Sequence, residues 1–160
     1  MNDDKKIVIK RQFTQHQYFR FLVSYSYSKW YVQVVILAAV IFAVFTASTG
    51  NTILPWAVLV LLFLVFYSPF YALYTVKSKK NRRMFLPVTY TFSSHEITGK
   101  MALGKDTVKW EIFRNWRRIG GCYALIISAN SLIAIPEVDI PYEDEERFIA
   151  LLREKIPARR

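Results

Sequence analysis

WYVQVVILAAVIFAVFTASTGNTILPWAVLVLLFLVFYSPFYALYTV, residues 30–76, contains no Asp, Glu, Lys, Arg or His. Two apolar runs, 30–46 and 53–76, flank a small uncharged connector, ASTGN at 47–51. A helix needs about 20 residues to cross roughly 30 Å of hydrocarbon. The second run is ample, and the first, even extended to residue 48, would stand fairly upright. A pair of buried helices in a water-soluble core would read similarly, but a chain of 160 residues could hardly hide both. The stretch therefore predicts a transmembrane helical hairpin over 30–48 and 53–76.

On either side of it the charge returns abruptly. Residues 1–29 hold six basic side chains against Asp3 and Asp4, a net of +4, and the connector has none. Directly after the second run comes YTVKSKKNRRMF (74–85), with Lys77, Lys79, Lys80, Arg82 and Arg83. Lys and Arg gather on the cytoplasmic side of short loops, so both termini are expected in the cytoplasm, the chain crossing its membrane twice. Trp30, Tyr31, Trp56, Tyr71 and Tyr74 fall near the ends of the runs, where amphipathic rings favour the headgroup zone. The first run begins about thirty residues in and lacks a small-residue cleavage site, so it is expected to stay in the membrane rather than serve as a signal peptide. The basic cluster is also expected to meet anionic lipid headgroups, at about 1 kcal/mol per residue near the surface. Nucleic acid or a phosphoinositide could use the same charges, but the topology accounts for them without either.

Beyond the cluster the apolar period changes from continuous to two. Val88, Tyr90 and Phe92 share one face of PVTYTFSS; Ile97, Gly99, Met101 and Leu103 share one of ITGKMAL; Val108, Trp110 and Ile112 share one of VKWEI. Ser93–Glu96 and Gly104–Asp106 read as connectors. FRNWRRI, Gly120–Gly121 and CYALIIS read as a hairpin, followed by a turn at 129–131 and the strand LIAI ending at Pro136. In PYEDEERFIALLREKI, acidic residues open and basic residues close a helix, and Phe148, Ile149, Leu152 and Ile156 form its apolar stripe. Upstream of the hairpin, IVIKRQF (7–13) predicts a short strand. Thr14 stands as the cap of a helix with Tyr18, Leu22 and Tyr25 on one face. That helix could lie in the membrane interface, pack on the polar part or extend the first span. The chain thus divides into a cytoplasmic strand and helix (1–29), a membrane hairpin (30–76) and a cytoplasmic β domain closed by a C-terminal helix (77–160), an α+β membrane protein.

Little in the sequence points to a reaction. His16 and His95 belong to no HxxxH or HExxH pattern, and Cys122 has no second cysteine at ligand spacing. Glu143, Asp144, Glu145 and Glu146 precede an apolar helix and suit its dipole. No phosphate-binding glycine motif occurs, and the spans carry no charge on which a proton path could run. No catalytic residue, metal site or cofactor is expected. Charge is uneven in the β domain: residues 77–118 carry a net +8 and residues 119–160 a net −2. Trp110, Asn115, Trp116, Arg117 and Arg118 combine aromatic and basic character and are the candidate surface for a protein partner. Tethering to an anionic leaflet explains the asymmetry more simply than nucleic acid does.

The layout of strand, helix, close-set spans and small β domain resembles the YcxB-like family of bacterial membrane proteins. The resemblance covers essentially the whole chain and rests on Trp110–Glu111–Ile112, Tyr123–Ala124–Leu125, Ile135–Pro136 and the helix with Phe148 and Leu152. Glu137 departs from the family's basic residue after Ile-Pro. The resemblance implies a pleckstrin-homology-like cytoplasmic domain, a bent sheet capped by a C-terminal helix, and no assigned reaction. The expected function is non-enzymatic: a small interaction domain held at the inner face of the membrane for an as yet unidentified protein partner. An immunity protein against an antibacterial toxin is one alternative. A homo-oligomeric transporter component is another, although the spans offer little polar lining.

Overall fold

The computed structural model describes residues 6–49, 54–102, 104–128 and 131–156; the side chains at 46, 47, 49, 54–58, 61, 64, 65, 80 and 83 are outside the description. The start of the chain with Asp3 and Asp4, the middle of the connector, Leu103, the turn residues Ala129 and Asn130, and the side chains of Trp56, Lys80 and Arg83 therefore lie outside the described residues.

The chain forms an α+β fold with two antiparallel sheets and a C-terminal helix. The first sheet runs in the order β1 (Ile7–Arg11), β2 (Val88–Phe92), β3 (Glu96–Met101) and β4 (Gly104–Lys109). The second consists of β5 (Asn115–Ile119), β6 (Cys122–Ser128) and β7 (Ser131–Pro136). Three helices, α1 (Gln15–Tyr27), α2 (Trp30–Thr49) and α3 (Leu54–Lys77), fall between β1 and β2, and α4 (Tyr142–Lys155) ends the fold.

β1 and β2 pair as an antiparallel hairpin would, Ile7 opposite Phe92 and Arg11 opposite Val88. The end at which a turn should close, after Arg11 and before Val88, is where the helices are inserted. Residues 1–29 and 77–160, read from the sequence as separate segments, thus build one sheet across the intervening hairpin. Such a pairing joins positions far apart in the chain, which local pattern cannot register.

A principal core lies between the two sheets and α4. Phe148, wholly buried, meets Phe92 edge-on at 5.0 Å and Tyr123 at 5.6 Å between ring centroids. Leu152 and Ile156 complete the stripe against Ile9, Leu125 and Ile135. A second core forms on the other face of β5–β7, where α1 lies across the sheet and Tyr18 and Phe21 meet Phe13, Val76, Cys122, Ala124 and Ala134. β6 is therefore covered on both faces: Tyr123 and Leu125 point to one core, Cys122 and Ala124 to the other. A strand buried on both sides reads as a continuous apolar run, which is what CYALIIS is.

α1 begins at the expected cap. Thr14 Oγ1 accepts from the Gln17 amide at 3.2 Å and Gln17 Oε1 accepts from the Thr14 amide at 3.0 Å, a reciprocal capping box. Packing on the second sheet answers the question of its placement, and Phe21 rather than Leu22 is its deepest residue beside Tyr18. The chain then turns by 70° into α2.

The fourth strand of the first sheet differs from expectation. Gly104 is not a turn residue but opens β4, opposite Met101, and the strand ends at Lys109. Trp110–Ile112 leaves the ladder in a tight 3-10 turn with Trp110 buried and Ile112 exposed. The cause is the indole: Trp110 Nε1–H donates to the Ser93 carbonyl at 2.9 Å, pinning the ring beneath the β2–β3 turn. At the β5–β6 hairpin, Gly120 and Gly121 take φ of +60° and +77°, the double positive φ that two-residue turns need.

Candidate functional site

Two surfaces and one cavity meet where the helices join the sheets. The first surface is the hairpin itself. α2 packs along α3, yet at least nineteen of their large apolar side chains are exposed, among them Leu37, Ile41, Phe45, Phe63, Phe66 and Phe70. Soluble monomers rarely leave contiguous apolar patches above a few hundred Å² open. Among the described residues no single helix is long and apolar enough to cross a membrane, while the bent pair Gln15–Tyr27 and Trp30–Phe45 meets that criterion jointly. The helices are 20 and 24 residues long.

The second surface is the basic segment. Lys77 is the last residue of α3, and Lys79 and Arg82 lie exposed on a 3-10 stretch, Lys79–Phe85. This stretch is anchored at both ends. Asn81 Nδ2 donates to the Thr75 carbonyl at 2.9 Å, serving the open end of α3, and Phe85 sits edge-on to Tyr18 at 5.6 Å. At the same foot of the hairpin lie Lys29 and the exposed rings of Trp30, Tyr31, Tyr71 and Tyr74.

Of the five residues expected to form a partner-binding patch, Trp110 stands apart, while the other four are consecutive in β5 and Trp116 and Arg118 share the face that carries Tyr123. Trp110 is buried and hydrogen bonded. Trp116 is half-buried against Tyr123 at 6.2 Å, and Asn115 turns its Oδ1 back to accept from the Trp116 amide at 2.7 Å. Arg117 and Arg118 point to opposite faces, because side chains alternate along a strand. Arg118 is already engaged: its Nε and Nη2 both donate to the Glu137 carboxylate at 2.7 Å. Glu137, the acidic residue that follows Ile135–Pro136, is thus the partner of Arg118.

Cys122 is buried, and burial first, with Glu137 and Asp139 adding, pushes its thiol up to about 12. It is a protonated core residue at neutral pH. His16 and His95 are exposed and distant in the fold, at the start of α1 and in the β2–β3 turn.

Sequence pattern alone passed over Arg11. It is 6 % exposed, the only buried charged residue among the described residues. In β1 it stands in phase with Ile7 and Ile9, so the alternation that buries them buries it too. That phase was the available signal. Its guanidinium lies 5.1 Å from the centroid of Phe13 and 5.5 Å from that of Tyr90. Nη2 reaches the Met84 carbonyl only at 3.5 Å, and Nε is buried with no partner. None of the carboxylates forming ion pairs in the described structure pairs with it. Asp139, whose carboxyl feels the Arg11 charge, accepts at Oδ2 from the Gln12 amide at 2.9 Å, and desolvation raises its carboxyl against the pull of that hydrogen bond and of Arg11. An unpaired charge held out of water costs on the order of several kcal/mol. Beside it opens a cavity of about 360 Å³ bounded by α1, β1, β7 and Met84.

The features define an α+β domain interrupted by an apolar helical pair, with cations concentrated where the two meet. The chain matches no family model, no curated protein and no solved structure.

Proposed function

We propose that this chain is a membrane-anchored, non-enzymatic protein that holds a small interaction domain at the cytoplasmic face of a bacterial inner membrane. The observation that carries the reading is the outward-facing apolar surface of α2 and α3, ending at one foot in aromatic rings and then in Lys29, Lys77, Lys79 and Arg82. Aromatic residues followed by cations are the sequence in which a helix leaves hydrocarbon for headgroups and then water. Antiparallel packing of α2 on α3 returns the chain to the side it left, so both sheets lie on that side. The arrangement of four strands, three strands and a C-terminal helix supports a pleckstrin-homology-like domain, and with the hairpin it supports kinship with the YcxB-like family. In this reading the basic segment orients the hairpin and rests on anionic headgroups. A protein partner has the outer face and the edges of the sheets available, β4 being an edge guarded by Lys105 and Lys109.

The test is topology. Alkaline phosphatase and fluorescent-protein fusions at each terminus should report both ends in the cytoplasm. Reversing Lys79, Lys80, Arg82 and Arg83 to Glu should lower the fraction of correctly inserted protein several-fold, because the positive bias is lost. A terminus in the periplasm, or a chain that purifies from the aqueous fraction as a monomer, overturns the proposal.

A further inference from the structure

Arg11 closes β1 beneath the hairpin foot, with one long contact for its five donors and a buried Nε without any. Its inward position is where the strand pattern calls for an apolar side chain. The cavity in front of it is walled by Phe13, Phe21, Leu22 and Leu132, and Lys29 stands at the rim immediately before α2. Lys29 is itself half-buried, its Nζ 5.2 Å from the Tyr25 ring centroid. At about 360 Å³ the cavity falls within the roughly 300–1,000 Å³ of small-molecule sites. An adjoining space of about 490 Å³ also touches Arg11 and Met84, with Asp106 on its far wall. Two cations, one of them buried with an unsatisfied donor, thus stand over an apolar floor.

We propose that this cavity binds one anionic phospholipid, its phosphate on the Arg11 guanidinium with Lys29 at the rim, and its first methylenes along Phe13, Phe21 and Leu132. A guanidinium presents a planar fork of donors suited to phosphate oxygens, and its terminal Nη groups, not the Nε enclosed by protein, are the ones that would meet the ligand. Phe13 and Tyr90 hold that fork between them, so its order is settled before the ligand arrives. The apolar walls favour an acylated phosphate over a free one. The site differs from the exposed Lys77, Lys79 and Arg82, which attract headgroups collectively. The assignment rests on the hairpin as anchor for its supply of lipid, although binding itself can be measured without a bilayer.

The full chain, purified and delipidated in a neutral detergent, is titrated with dioctanoyl phosphatidic acid and followed by native mass spectrometry and thermal unfolding. One lipid per chain is expected, saturably. Dioctanoyl phosphatidylcholine and inorganic phosphate should each bind at least tenfold more weakly. Arg11→Met, which removes an unpaired buried charge and keeps the fold, should lose at least tenfold in affinity and the ligand-induced rise in Tm. Leu132→Trp, which fills the cavity and leaves the charge, should do the same, whereas Lys79→Gln/Arg82→Gln should bind as the parent does. Unchanged affinity in a folded Arg11→Met, equal binding of phosphatidylcholine, equal binding of inorganic phosphate, or uptake of many lipids without saturation each overturns the site. None of these outcomes bears on whether the hairpin spans a membrane, and failed insertion in cells would leave the detergent titration intact.

Discussion

Single residues carry the joints of this molecule, and Gly120 is the most constrained of them. It and Gly121 share the positive φ of the β5–β6 turn, but only Gly120 is pressed on from outside. A Cβ there would stand 3.0 Å from the Phe21 Cα and 3.0 Å from the Ser24 Cβ, while one on Gly121 would meet nothing within 4 Å. Gly121→Ala should therefore cost about 1–2 kcal/mol, the left-handed penalty alone. Gly120→Ala should cost more, since α1 must also move off the sheet. Denaturant melts in detergent measure the difference, and equal losses would mean that α1 is not seated on this turn. The glycine pair and its turn are readable in the chain; the helix backbone lying on one of the two is not.

Among the elements, α4 and β1 matter most because each completes a core begun elsewhere. Phe148 fills the space between Phe92 of the first sheet and Tyr123 of the second. Phe148→Ala should lower unfolding free energy by about 3–5 kcal/mol, the range for emptying a buried aromatic site, whereas Phe148→Leu should recover much of it. A loss below about 1 kcal/mol would remove α4 from the core. The helix was legible because its stripe and its terminal charges agree with one period. The end of β4 was not, because Trp110 continues the alternation of Val108 while its indole N–H is drawn to Ser93 seventeen positions back. A two-residue period can be written by side chains that do not share a strand.

At the scale of the whole molecule, the polar domain is assembled from both sides of the hairpin. A fragment holding only 77–160 lacks β1, leaves the β2 edge open and strips α1 from Cys122, Ala124 and Ala134. It should show no cooperative melt by circular dichroism. Joining 6–28 to 77–156 through a flexible Gly/Ser linker should restore both cores and give a folded, water-soluble domain. A cooperative transition in the 77–160 fragment alone would show that β1 and α1 are dispensable. The exposed hairpin, by contrast, is a property of the whole that composition already announces.

What the sequence by itself determined is whatever a run of neighbours can express: uncharged apolar helices at 30–76, the basic segment that follows them, the glycine turn and the dipole-matched C-terminal helix. Each depends on contacts within one element or on the solvent it faces. Only the tertiary structure decided that β1 pairs with β2 across the helical insertion, that α1 covers the second sheet, that Trp110 and Arg118 are occupied, and that Arg11 is buried before an open cavity. These are pairings between residues tens of positions apart, selected by which surfaces exclude water together, and no local period records them.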